Sequence, residues 1–110
     1  MHPSYQRGLP RAWQKTAATF TALGDPHRQR ILLMFEADEE LSVSQIAAAT
    51  PLSRTAVAHH LRVLREAGVL RCRKSGREVR YRPVPQAVRR ALDAVRGYLD
   101  ARFDSIGSGR

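Results

Sequence analysis

Between residues 53 and 82 the chain carries Arg54, Arg62, Arg65, Arg71, Arg73, Lys74, Arg77, Arg80 and Arg82 against only Glu66 and Glu78. Most of the net charge of +9 therefore sits in under a third of the molecule. All the basic residues of the chain except Lys15 and Lys74 are arginine, whose planar fork binds phosphate oxygens and guanine edges in pairs. That concentration calls for a polyanion as partner. The other reactive side chains are sparse. Cys72 is the single cysteine, so no internal disulfide can form, and the pattern suits a reducing cytoplasm. His59 and His60 are neighbours, about 100° apart on a helix, and cannot chelate one ion together. No Ser-His-Asp, Cys-His or paired-carboxylate arrangement stands out, so no enzyme activity is expected.

A chain of 110 residues with 43% hydrophobic and 26% charged residues is expected to form one globular domain. No apolar run reaches the ~18 residues of a membrane span, and Met1 to Pro10 contains no apolar stretch of the secretory type. Residues 1–9 read as a loose arm and residues 105–110 as a frayed tail, which leaves 10–104 as the domain. Pro10 opens a first helix with Trp13, Ala17, Phe20 and Leu23 on one stripe, stopped by Gly24. Asp25-Pro26 reads as N-cap and first helical residue of a second helix, which buries Ile31, Leu32 and Phe35. Ser42-Val-Ser-Gln45 is a capping box for a short third helix that buries Ile46 and ends before Pro51. Ser53 caps a fourth helix that runs to Ala67 and is closed by Gly68. Helix, short turn and helix in that order predict a helix-turn-helix.

After Gly68 the period changes to two. Leu70 and Cys72 alternate with Arg71 and Arg73; beyond Ser75-Gly76, Val79 and Tyr81 point inward between charged residues. This predicts a two-stranded hairpin with a basic tip and a small buried cysteine. Pro83 and Pro85 end it, and a last helix follows with Val88, Ala91 or Leu92, Val95 and Leu99 on one stripe and Tyr98 beside it.

On the fourth helix, at about 100° per residue, Val57, Leu61 and Leu64 share an inward arc of about 60°. Arg54, Thr55, Ala58, His59 and Arg62 share the opposite face. Short side chains beside arginines let a helix approach the floor of a DNA groove while the long ones reach base edges. Ser53, Arg54, Thr55, Ala58, His59 and Arg62 are therefore the expected groove-facing residues, with Arg54 as a base reader. Lys74, Arg77 and Arg80 of the hairpin are expected on the adjacent phosphates.

The segments Ala22 to Ile31, Leu41 to Ala47 and Leu52 to Leu70, continued by Arg73 to Arg82, together resemble the ArsR/SmtB (arsenic-repressor) family of bacterial regulators over roughly residues 15–83. The resemblance implies a mainly α, winged helix-turn-helix fold with a small β-hairpin, paired as a homodimer through its first and last helices. It implies a repressor of transcription that an effector loosens, with contacts to DNA on Arg54, Thr55 and His59. Many relatives carry serine where Ala58 stands, so one hydrogen-bonding group is missing. The family's thiolate ligands would need cysteines around Leu41-Ser42-Val43, and its last-helix ligands would need histidine beside Asp93, Asp100 and Asp104; neither is present, so no usual metal site is expected. Atypical ligands, His2 or the run Asp38-Glu39-Glu40, and a redox role for Cys72 stay as alternatives, as does a winged-helix adaptor that binds protein. The acidic run otherwise reads as a solvated loop.

A small monomer cannot easily cover Trp13, Ala17, Phe20, Val88, Leu92, Val95, Tyr98 and Leu99. Pairing the terminal helices across a two-fold axis would cover them and set two fourth helices apart. The expected partners are thus a second copy and a palindromic double-stranded operator with half-sites about one turn, ~10 bp, or a multiple apart. The identity of any small-molecule effector is left open.

Overall fold

The computed structural model describes residues 8–104; the rest of the expected N-terminal arm and the expected tail lie outside the described residues. Helix α1 spans Arg11–Leu23, α2 Pro26–Leu32, α3 Val43–Ala48, α4 Arg54–Glu66 and α5 Pro85–Leu99. Strand β1 is the pair Leu41–Ser42, β2 runs over Leu70–Ser75 and β3 over Glu78–Pro83. A five-residue π-helical turn, Asp100–Asp104, prolongs α5.

Local chemistry sets most of these boundaries. The Asp25 carboxylate accepts from the amides of His27 (2.8 Å) and Arg28 (3.2 Å), with Pro26 at the first helical position. Ser42 and Gln45 close the capping box reciprocally, at 3.2 and 2.8 Å. Ser53 Oγ accepts from the Ala56 amide at 3.1 Å. At the other end of α4, Gly68 takes φ +80°, a left-handed value that suits glycine. Its N–H donates to Arg65 O and that of Val69 to Leu64 O, both at 2.9 Å. This is a Schellman motif, and buried Leu64 and Val69 supply its usual apolar contact.

The sheet is antiparallel in the order β1-β3-β2. β2 and β3 pair from Leu70↔Pro83 to Ser75↔Glu78 across Gly76 and Arg77, while Leu41 and Ser42 pair with Tyr81 and Arg80. Gly76 has φ +63°, as two-residue hairpins require. The core joins Ala22, Ile31, Ile46, Val57, Leu61, Leu64, Val69, Leu70 and Tyr81, so three helices and the base of the hairpin meet on one side of α4.

Two expectations are corrected, the burial of Cys72 and that of Val79, and the contacts of the terminal helices within one chain are a further finding. The seam of α1 is Thr16, Thr19 and Ala22; on the stripe through Trp13, Ala17 and Phe20, Trp13 is half-buried and the other two are exposed. Thr19 is tolerated inside because its hydroxyl donates to Lys15 O at 3.2 Å. On α5 the buried residues are Ala87 and Ala91; small side chains let α1 and α5 approach closely, leaving Leu92, Tyr98 and Leu99 exposed and Val88 and Val95 half-buried. Cys72 is exposed, and Val79 is too. Leu70 and Tyr81, near the base of the hairpin, are its buried contributions to the core. Cys72 faces the same side as Tyr81, its register partner, but lies on the outer strand, where nothing covers it. The third strand, β1, is an addition to the expected hairpin.

Candidate nucleic-acid interface

Val57, Leu61 and Leu64 have no exposure at all, which fixes the rotation of α4 about its axis. The opposite side follows from that: Arg54, Thr55, Ala58, His59 and Arg62 are all exposed, as is the cap Ser53. The face expected from the sequence to meet a duplex therefore lies open as one continuous surface. On the hairpin, Lys74 and Arg77 are exposed and Arg80 is half-buried. Arg80 Nη2 lies 3.3 Å from Glu78 Oε2, so part of its charge is matched within the strand.

Several side chains position this surface that composition alone does not single out. Arg54 Nη1 donates to Ser44 Oγ of α3 at 2.8 Å. Glu40, at the end of the acidic run, accepts from Arg73 Nε at 2.9 and 3.1 Å and from Nη2 at 2.7 Å. The hydrogen bonds from Arg73 hold the Glu40 carboxyl below the usual carboxylate range. This fork ties β2 to the segment that enters β1, and it makes Arg73 a structural cation. Glu40 is thus engaged rather than simply solvated. No local signal in the sequence joins these pairs; only the fold brings them together.

Three histidines form a row that runs from α2 to the open face at His59. The His60 ring lies 5.8 Å from His27 and 5.7 Å from His59 between ring centres, tilted by 31° and 56°. His27 and His59 are exposed, whereas His60 is half-buried. Arg28 Nη1 lies 3.4 Å from His60 Nδ1, while its Nε and Nη2 donate to Ala22 O (2.7 Å) and Thr21 O (3.2 Å) at the end of α1. Burial pushes the His60 imidazolium pKa down, Arg28, His59 and His27 add to that, and Asp25 opposes it. His60 is consequently a packing group between α2 and α4, as its inward-flanking position suggests.

Among the described residues, no three His, Cys, Asp or Glu side chains gather as a metal-binding group, and no helix is long and apolar enough to cross a membrane.

Residues 23–73 match a helix-turn-helix domain family. The chain is 43% identical over 68 residues to a transcriptional repressor SmtB homolog of Synechocystis sp., a match covering 62% of this chain and 51% of that protein. The chain thus spans about half the length of that curated relative. Among solved structures, an ArsR-like transcriptional regulator from Rhodococcus sp. RHA1 superimposes with a TM-score of 0.72 at 31% identity, over 87% of this chain and 92% of the other. A Mycobacterium bovis protein described as a homodimeric winged helix-turn-helix DNA-binding domain, possibly an ArsR-family regulator, aligns with a TM-score of 0.64 at 25% identity, over 87% and 92% of the two chains. The likeness extends past the helix-turn-helix through the hairpin and the terminal helices, and the chain belongs to the ArsR/SmtB family of winged helix-turn-helix transcriptional regulators.

Proposed function

We propose that this chain is a sequence-specific, double-stranded DNA-binding repressor that acts as a homodimer in the cytoplasm, without catalytic activity. One observation carries the reading: a helix whose aliphatic side is wholly buried holds Arg54, Thr55, Ala58, His59 and Arg62 in the open, beside a basic hairpin. Thr55 and Ala58 are short enough for α4 to enter the major groove, where His59 and Arg62 reach base edges. Ser53, at the helix end, and Lys74, Arg77 and Arg80, on the wing, follow the backbone. Pairing is supported by the apolar side chains that α1, α5 and the turn after α5 leave exposed, namely Phe20, Leu92, Tyr98, Leu99 and Phe103. Trp13, Ala17, Val88 and Val95 complete that face. A two-fold axis there presents two copies of α4 to an imperfect palindrome.

The test is binding to the chain's own upstream promoter DNA. Footprinting is expected to protect a palindromic site, and log K should fall with log[salt] by about 0.9 for every phosphate neutralised. A salt-independent affinity, or equal affinity for promoter and scrambled duplex, would overturn the reading.

A further inference from the structure

An open groove runs between the starts of α3 and α4 and the tip of the wing, and Arg54 and Arg77 both line it, with Ser44 between the helices. We propose that this groove seats a single backbone phosphate of duplex DNA, gripped jointly by Arg54 and Arg77, and that Ser44 is the positioning residue for Arg54. The inference rests on the DNA-binding reading and changes one role within it. Arg54 becomes a sensor of the backbone, and base recognition is left to Thr55, His59 and Arg62.

The geometry supports this in three ways. First, the hydrogen bond to Ser44 Oγ holds the Arg54 guanidinium toward α3 and the wing, away from the part of α4 that enters a groove. One of its five N–H donors is used there, which orients the rest of the fork in advance and reduces the rotamer freedom lost on binding. Second, two arginines line one groove. The carboxylate that also lines it, Glu78, contacts Arg80 at 3.3 Å. A backbone phosphate, one negative charge shared over two non-bridging oxygens, can accept from an arginine on each side. Third, Arg54 is the first residue of the thirteen-residue α4, where the aligned peptide dipoles favour an anion. Arg77 lies in the turn between β2 and β3, fixed by the Ser75↔Glu78 register.

The test uses the full chain with a labelled duplex of random sequence, titrated from 50 to 200 mM salt. Arg54→Ala and Arg77→Ala should each weaken binding to the random duplex. In Arg54→Ala/Arg77→Ala, one shared phosphate is lost, so the parent's affinity advantage over the variant should shrink by roughly 3.5-fold between 50 and 200 mM salt. Two separate phosphates would shrink it by roughly 12-fold and would overturn the joint grip. Ser44→Ala should weaken binding in the parent chain but add nothing to Arg54→Ala; an equal loss in both backgrounds would overturn its positioning role. Undiminished random-duplex binding by Arg54→Ala would overturn the phosphate seat while leaving DNA binding intact. Failure of the parent chain to bind any duplex would overturn the DNA-binding reading itself, together with the seat.

Discussion

Leu92 offers a direct measure of what the terminal helices do. Its side chain is 51% exposed on α5, so the single chain gains little from it. Burying a whole leucine side chain contributes about 1.5–3 kcal/mol; covering the remaining half would contribute roughly 1 kcal/mol. In a two-fold interface the residue appears twice, and Leu92→Ala should therefore cost a dimer about 2 kcal/mol while sparing the fold. That corresponds to an increase of about 30-fold in the dimer dissociation constant. Sedimentation velocity over a dilution series reads this directly, and far-UV circular dichroism at the highest concentration confirms that the helices persist. Leu33, 83% exposed at the end of α2, is the control, for which Leu33→Ala should leave the association unchanged. A parent chain that is monomeric at every concentration, or equal dissociation constants for parent and Leu92→Ala, would refute the assignment of α1 and α5 to pairing.

Leu61, with no exposure, should behave in the opposite way: Leu61→Ala should lower stability by about 2–5 kcal/mol in urea unfolding, at any protein concentration, and a loss below 1 kcal/mol would contradict the packing of α4. For His60, the unfolded imidazole titrates near its ordinary value, while in the fold burial pushes the pKa below that. As pH falls past about 6.5 the unfolded chain therefore binds the proton first, and stability is lost until the folded pKa is passed. Urea midpoints at pH 7.5 and 5.5 should thus fall further in the parent than in His60→Gln, and identical falls would refute the role given to burial. Cys72, exposed on β2, should react with a disulfide reagent in the native protein as fast as in urea; strong native protection would show that the hairpin is covered.

What could be read in the sequence was whatever is decided within a few residues. The caps at Asp25, Ser42-Gln45 and Ser53 and the left-handed stop at Gly68 are local contracts between a side chain and nearby amides, and each forms as expected. The inward arc of α4 was equally legible, because Val57, Leu61 and Leu64 leave no alternative rotation. The α1 seam was missed because Thr16 and Thr19 look like surface residues until Thr19 is seen to bond back to Lys15 O. Alternation assigned Cys72 to the correct face of the strand but could not say that nothing lies over it. β1, the Glu40–Arg73 fork and the Ser44–Arg54 contact join positions from 10 to about 40 residues apart, and no periodicity records such pairings.

The two-residue strand β1 has a mechanical consequence. Because Leu41 and Ser42 pair with the middle strand of the wing, and Ser42 is also the cap of α3, the hairpin cannot swing independently of the helices that follow. Wing and α3 are thus tied to one another at Ser42, and α4 packs against both. Hydrogen exchange offers a check, since amides of β3 and α3 should open together; independent opening of the wing would refute that tie.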